Sequence, residues 1–343
     1  MNNATFSTVE SLLCHFTEPA EELKTVLKSI QGPLVVLGAG GKMGPTLCVL
    51  VKRTLESMEV HWPVIAVSRF SSKHQKKWLE SQGVQTHVAD LLDQETCALL
   101  PDAAAVIYLV GLKFGTTENP ELTWAVNTLI PTWVCQRYAG KRMVALSTGN
   151  VYPMSHIQSG GSLETDSLTP SGEYANAAVA RERLLGYGAS VHGIRMSILR
   201  LNYALDLRYG VIVDIAKQVL EDQAVDLSLG YFNAIWQRDA NISIIRSLDL
   251  TGSVPTTWNL TGDLTLSVRD VAEEIARHAG KKCKFVGVES EEALLSNASH
   301  IWERIPTILT PISQVIAWTV GWLTSKGPTY DKPTHFQVQD GKY

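Results

Sequence analysis

The sequence has 343 residues, of which 45% are hydrophobic and 19% charged, and its formal net charge is −4. This composition is typical of a folded globular protein and excludes a fibrous or largely disordered chain. The small negative charge, without a long basic run, argues against nucleic acid as the main partner. The five cysteines are scattered without a Cys-x-x-Cys pair, so we expect neither a disulfide framework nor a zinc site, and a reducing, cytoplasmic location.

No targeting segment or membrane span is predicted. The N-terminal residues lack a basic stretch followed by an apolar run, which a signal peptide needs. The most apolar stretch, residues 308–323, is shorter than the roughly 20 residues of a spanning helix and contains Pro311 and Gln314. It is predicted to be an amphipathic helix that packs inside the protein or against a partner, so no membrane contact is expected.

The order of the predicted elements indicates the fold class. Residues 9–30 are predicted to form an amphipathic helix. Short β-branched runs then alternate with helical segments at 45–57 and 72–83, the runs lying at 34–40, 64–68, 84–91, 104–111 and 142–147. This alternation predicts βαβ units and an α/β fold, a Rossmann-type doubly wound parallel sheet.

After about residue 200 the alternation loosens, which indicates a smaller, irregular lobe that binds substrate. We expect three parts, with some segments of the last returning to the main sheet: a helical extension over 1–31, a Rossmann-type domain over 32–200 and a C-terminal lobe over 201–343.

A glycine-rich turn lies between the first predicted strand and the following helix. Gly38, Gly41 and Gly44 recur every three residues, with Lys42 and Met43 between the last two. Such a turn lets backbone N–H groups approach phosphate at the helix N-terminus. The spacing is GxxGxxG, and it predicts dinucleotide binding.

The ends of the second and third predicted strands bear on which dinucleotide binds. A carboxylate after the second strand would accept from the ribose 2′-hydroxyl of NAD, whereas a cation accommodates the 2′-phosphate of NADP. Ser68 and Arg69 stand there instead of an acid, which slightly favours NADP and leaves NAD as the alternative. Asp90 and Leu91 end the third strand and are expected at the adenine.

Together these features resemble the extended short-chain dehydrogenase/reductase superfamily, which includes UDP-galactose 4-epimerase and the nucleotide-sugar dehydratases. The resemblance extends from about residue 32 to residue 290. It implies cofactor-binding roles in the fourth strand segment and the next helix for Val110, Gly111, Lys113 and Asn127. In the segment 144–153 it implies that Thr148 is catalytic.

The helical stretch 173–185 resembles the family's Tyr-x-x-x-Lys motif, with Tyr174 at the tyrosine position, where it would be catalytic and contact the cofactor. Ala178 stands at the lysine position. A phenol titrates near 10, so a tyrosine without a neighbouring cation is a poor base at neutral pH. Three interpretations stay open: Arg181 or Lys113 substitutes for the lysine, the chemistry is altered, or the site binds dinucleotide without turnover.

The resemblance implies an atypical NAD(P)-dependent epimerase, dehydratase or oxidoreductase that transfers hydride at a secondary alcohol of a carbohydrate. The alternative is a catalytically inactive dinucleotide-binding sensor or regulatory protein. The resemblance also implies a small-molecule sugar or sugar derivative as partner, and a homodimer formed through two helices that include the tyrosine helix. No metal site is expected, because the histidines lack ligand spacing.

Overall fold

The computed structural model describes residues 6–112, 115, 118–332 and 334. The helices of this part of the chain are α1 (Val9–Phe16), α2 (Lys24–Lys28), α3 (Gly44–Ser57), α4 (Lys73–Ser81), α5 (Gln94–Ala98), α6 (Pro120–Arg137), α7 (Gly172–His192), α8 (Val211–Leu220), α9 (Gln237–Arg246), α10 (Val268–Ala279), α11 (Ser299–Arg304) and α12 (Ile312–Thr324).

The strands are β1 (Leu34–Leu37), β2 (Val64–Ser68), β3 (Gln85–Val88), β4 (Ala105–Tyr108), β5 (Arg142–Thr148), β6 (Ser155–His156), β7 (Arg195–Leu201), β8 (Ala204–Leu205), β9 (Ala224–Asp226), β10 (Tyr231–Phe232), β11 (Ile235–Trp236), β12 (Thr256–Leu260), β13 (Leu266–Ser267), β14 (Lys284–Val286) and β15 (Glu292–Ala293). Seven of them form one sheet in the order β12-β7-β5-β4-β1-β2-β3, in which every pair is parallel.

The sheet confirms the predicted Rossmann-type α/β fold. All residues of β1 and β4 are buried, as expected for parallel strands that are covered by helices on both faces. The chain order reverses between β1 and β4, and the crevice beyond the carboxyl ends of these strands is where such sheets bind ligands. The site is therefore expected at that edge.

The N-terminal extension differs from the single predicted helix. Pro19 follows α1, and the chain resumes as a short 3-10 turn and α2, because proline cannot supply the backbone N–H that a helix interior requires. Side chains of α1 pack with the C-terminal lobe, whereas those of α2 pack against the main sheet. The extension thus joins two hydrophobic cores.

The C-terminal residues combine irregular segments with strands of the main sheet. Strand β12 returns to pair with β7, while α8, α10 and α12 surround a separate hydrophobic core. Helix α12 buries one side against that core, including Val315, Ile316 and Trp322. Among the described residues, no helix is long and apolar enough to cross a membrane.

Candidate cofactor and catalytic site

The glycine-rich turn connects β1 to α3 at the sheet's crevice. Gly38 has a φ of +78°, a left-handed conformation that glycine adopts without the penalty of a Cβ. Helix α3 begins at Gly44, and the residue before it, Met43, gives the helix start no side-chain cap. The first N–H groups of this helix have no intrahelical acceptor, so they are suited to an anion such as a phosphate.

Two adjoining cavities open at this edge of the sheet. Cavity A has a volume of about 420 Å³ and extends from the glycine turn to β5, α7 and the C-terminal lobe. Cavity B, of about 260 Å³, extends from the same turn to the ends of β2 and β3. Their walls share Gly38, Gly41, Leu109, Gly111 and Leu112. One extended ligand can therefore cross from one cavity to the other over these residues.

Most of the predicted cofactor residues line these cavities. The wall of cavity A includes Gly38, Gly41, Lys42, Met43, Gly44 and Gly111. The wall of cavity B includes Ser68, Arg69, Asp90, Leu91, Val110 and Gly111. Lys113 lies outside the described residues. Asn127 is fully buried and lies behind the wall, where its amide donates to the Thr123 carbonyl.

The two predicted catalytic residues share cavity A. Thr148 ends β5, and Tyr174 lies in the first turn of α7; both line the cavity and are less than a tenth exposed. The Thr148 hydroxyl donates to the Asn150 side chain at 2.9 Å and accepts from the Asn150 N–H at 3.2 Å. A threonine hydroxyl and a phenol thus border the same cavity as the glycine turn.

Ala178, which the resemblance aligns with the motif lysine, lies in apolar packing. Ala178 is fully buried and forms a small cluster with Val151 and Tyr152. The Tyr152 hydroxyl is held by Arg200, which donates at 2.6 Å, and itself donates to Asn259 at 2.8 Å. These bonds hold the ring of Tyr152 beside Ala178, and the Arg200 guanidinium lies over that ring, 4.9 Å from its centroid.

A buried ion pair lies behind the two predicted catalytic residues. Arg200 donates to both carboxylate oxygens of Glu182, at 3.0 and 2.7 Å, and Ser147 donates to the same carboxylate at 2.5 Å. Both charged side chains are about one-twentieth exposed. Burial alone would lower the pKa of the Arg200 guanidinium, but the hydrogen bonds and charge of the carboxylate raise it, so Arg200 stays charged. The pair joins α7 to β7, and the Ser147 bond ties β5 to the same carboxylate.

Because Glu182 is committed to Arg200, it does not pair with its neighbour Arg181. The Arg181 guanidinium is buried and turns towards α6 and the end of β4. It donates to Asn127 at 2.7 Å and to the Val110 carbonyl at 3.2 Å. The structure therefore brings Arg181 to the wall that the two cavities share.

The sequence patterns did not identify the far side of cavity A. This side is formed by Asn202, Tyr203, Asp206, Tyr209, Gln237, Tyr330 and Thr334. Thr334 lies outside the family resemblance, yet its N–H and hydroxyl both bond to Asp214 of α8, at 2.8 and 2.6 Å. Such contacts join residues far apart in the chain, and no local periodicity signals them.

The cavity walls fit a dinucleotide. The glycine turn and the uncapped start of α3 suit its diphosphate. Cavity B has hydroxyl, cation and carboxylate groups from Ser68, Arg69 and Asp90 for an adenosine. Cavity A places Thr148 and Tyr174 beyond the phosphate turn. Such an arrangement can serve hydride transfer from a secondary alcohol to a nicotinamide, or from a reduced nicotinamide to the corresponding ketone.

Several solved structures share this fold. A UDP-glucuronic acid 4-epimerase from Bacillus cereus, in complex with UDP-glucuronic acid and NAD, superposes with a TM-score of 0.70 at 18% identity, covering 86% of this chain and 99% of that one. A UDP-glucose 4-epimerase from Thermotoga maritima, with UDP-glucose, has a TM-score of 0.69 at 16% identity, with 86% and 99% covered.

A third similar structure is a UDP-glucose 4-epimerase of Thermus thermophilus in complex with NAD, with a TM-score of 0.66 at 19% identity, covering 84% of this chain and 97% of that one. No protein with a curated description matches the chain significantly. The model of the NAD dependent epimerase/dehydratase family matches residues 34–205, half of the chain, including the glycine turn, Thr148 and Tyr174. The chain therefore belongs to the NAD dependent epimerase/dehydratase family.

Proposed function

We propose that this protein is a nicotinamide-dinucleotide-dependent enzyme that transfers hydride at a secondary alcohol of a sugar or sugar derivative, as an epimerase, dehydratase or oxidoreductase. The observation that carries the proposal is that Thr148 and Tyr174 line the same cavity as the glycine turn. Family membership supports it. The absence of the motif lysine makes the enzyme atypical.

The residues of the two cavities have separate roles in binding and in catalysis. The glycine turn and the start of α3 hold the diphosphate, and cavity B holds the adenosine. The bound nicotinamide supplies a hydride acceptor or donor. Thr148 hydrogen-bonds the reacting oxygen, and Tyr174 takes or returns its proton. A positioned proton-transfer group typically contributes a factor of about 10² to 10⁴ in rate.

The cofactor is NAD or NADP, and the position of Arg69 bears on which of the two binds more tightly. Two of the similar structures contain NAD by name. In this chain Arg69 is exposed at the wall of cavity B, and Ser68 precedes it at the end of β2. An arginine there favours a 2′-phosphate. Arg69→Ala should lower the ratio of NADP to NAD affinity; an unchanged ratio would remove this argument.

The size of cavity A suits a small organic substrate, since ligand pockets usually measure about 300–1,000 Å³. The similar structures are of enzymes named for UDP-glucose and UDP-glucuronic acid. A sugar or a nucleotide sugar is accordingly the first class of substrate to assay.

Ala178 supports a second candidate function, a dinucleotide-binding sensor or regulatory protein without turnover. The lysine of the motif would help Tyr174 to ionise and would hold the nicotinamide ribose. The apolar cluster of Ala178, Val151 and Tyr152 does neither. This candidate predicts normal dinucleotide binding and no chemistry.

Comparing Tyr174→Phe with Tyr187→Phe distinguishes the two functions. Both tyrosines lie on α7, but Tyr187 is 70% exposed and far from cavity A. Each variant is loaded with dinucleotide and mixed with a panel of sugars and nucleotide sugars. The enzymatic function predicts a change in the absorbance of reduced nicotinamide that Tyr174→Phe abolishes and Tyr187→Phe preserves. Dinucleotide binding without any change in absorbance across the panel would support the regulatory function instead.

We also propose that two copies pair through α6 and α7, as the family resemblance implies. These helices pack against each other, and their outer faces carry the exposed apolar side chains Leu122, Trp124, Leu129, Tyr187 and Val191. A second copy of the same face would remove this apolar surface from water.

A further inference from the structure

Arg181 is a buried cation with no acidic partner among the residues that the structure describes. The residue is 3% exposed, and within that part of the chain its guanidinium donates to two neutral acceptors, the Asn127 amide oxygen and the Val110 carbonyl. Its Nε is buried and has no hydrogen-bond partner within the described part of the chain. No ion pair to Arg181 occurs among those residues either, because Glu182 binds Arg200.

The described groups around this guanidinium do not neutralise its charge. Tyr108 of β4 lies close enough for the charge to affect its phenol, but burial raises the pKa of Tyr108 far more than Arg181 lowers it, so the phenol stays neutral. Asn127 also donates to the Thr123 carbonyl. Charge on an isolated buried group is costly unless an opposite charge compensates it.

The position of the guanidinium indicates where that opposite charge comes from. A Cβ on Gly111 would collide with the Arg181 Nη1 atom, so the guanidinium packs directly against the Gly111 backbone. Gly111 is one of the wall residues that cavities A and B share. The same shared wall includes Gly38 and Gly41 of the glycine turn, so a dinucleotide that bound its diphosphate at that turn and occupied both cavities would cross the wall near Gly111.

We propose that Arg181 is a positioning residue for the dinucleotide, whose buried positive charge behind Gly111 is compensated by the diphosphate when the cofactor binds. It acts through the wall of the cleft and not by contact with the reacting atoms. The proposal rests on the proposed function, in that it requires a dinucleotide in the cleft. Charge interactions across a buried wall are screened less than those at an exposed surface.

Arg181→Gln removes the charge and keeps an amide that can donate to Asn127, whereas Arg181→Lys keeps the charge. Arg183→Gln is the matched control, because Arg183 is exposed on the same helix. Dissociation constants for NADH and NADPH should rise tenfold or more in Arg181→Gln, rise less in Arg181→Lys and stay unchanged in the control. Competition by ADP should weaken in Arg181→Gln, while competition by uncharged adenosine should not.

A second variant tests the proposal without removing the arginine, in case Arg181→Gln does not fold. Asn127→Asp places a carboxylate beside the guanidinium, now 2.7 Å from Asn127 Oδ1, and supplies an internal counter-charge. Dinucleotide affinity should again fall tenfold or more. Asn176→Asp, which adds the same charge at an exposed position of α7, should leave it unchanged.

The outcomes separate this proposal from the proposed function. If the wild-type protein binds neither NAD(H) nor NADP(H), the proposed function fails. If it binds, but Arg181→Gln or Asn127→Asp binds equally well, only the role of Arg181 is overturned. A purely structural role predicts a lower melting temperature of the ligand-free variant with unchanged dissociation constants.

Discussion

Replacing Ala178 by lysine would create the family's Tyr-x-x-x-Lys spacing inside a buried apolar cluster. Ala178 is fully buried against Val151 and Tyr152, and the Tyr152 ring is held by hydrogen bonds to Arg200 and Asn259. Adding four chain atoms to such a core typically costs about 1–3 kcal/mol. Ala178→Met measures this packing cost alone, since methionine has similar length without charge.

The lysine charge adds a further cost in Ala178→Lys. Glu182 lies four residues along the helix, but both of its carboxylate oxygens already accept from Arg200, and Arg200 itself lies over the Tyr152 ring. We expect Ala178→Lys to lose about 1–2 kcal/mol more than Ala178→Met, since a buried cation needs a partner.

Thermal unfolding measures the loss of stability in the two variants, and dinucleotide titration measures whether the lysine strengthens cofactor binding. At about 2 °C per kcal/mol for a chain of this size, Ala178→Lys should melt roughly 4–10 °C below the wild-type protein without binding dinucleotide more tightly. The reasoning would be refuted by a lysine variant as stable as Ala178→Met that also binds dinucleotide more tightly, because the pocket for the motif lysine would then still exist.

Three further predictions concern stability and assembly. Glu182→Gln leaves Arg200 buried without its carboxylate and should cost about 3–5 kcal/mol of unfolding free energy; a loss below 1 kcal/mol would contradict the pairing. Burial lowers the pKa of His15, whose Nε2 accepts from the Trp236 indole, to about 4. The unfolded chain then binds the proton more readily than the folded protein, so the free energy of unfolding falls as pH drops from about 6.5 to 4, by at most about 3 kcal/mol. His15→Gln should remove this part of the pH dependence. Identical pH profiles of the variant and the wild-type protein would refute the role of His15. Tyr187→Glu should convert a dimer to a monomer in sedimentation, whereas an unchanged mass would argue against pairing through α7.

The main sheet could be predicted from sequence because its signals are local. Buried β-branched runs predicted β1, β2 and β5 close to their observed bounds, and the glycine turn fell between β1 and α3 as expected. Each of these patterns depends on a few consecutive residues and on the burial of a parallel sheet. In the N-terminal extension, apolar periodicity alone overlooked the break at Pro19.

The rest of the site depends on contacts between distant segments. Arg181 was one of two predicted substitutes for the motif lysine, but its bond to Asn127 depends on how α6 packs, which no local pattern shows. Thr334 reaches cavity A through Asp214, 120 residues away in the chain. The resemblance aligned Ala178 with the motif lysine, and the packing of Tyr152 beside Ala178 became visible only in three dimensions.

The central claim is that Tyr174 performs proton transfer in a dinucleotide site without the motif lysine. The most direct measurement is the near-ultraviolet absorbance of reduced nicotinamide when dinucleotide-loaded protein is mixed with sugars and nucleotide sugars, in wild-type and Tyr174→Phe forms that bind the dinucleotide equally. We predict that at least one sugar changes the absorbance of the wild-type protein and that Tyr174→Phe slows this change at least a hundredfold, about the lower limit for loss of a proton-transfer group. Equal rates in the two forms would contradict the claim.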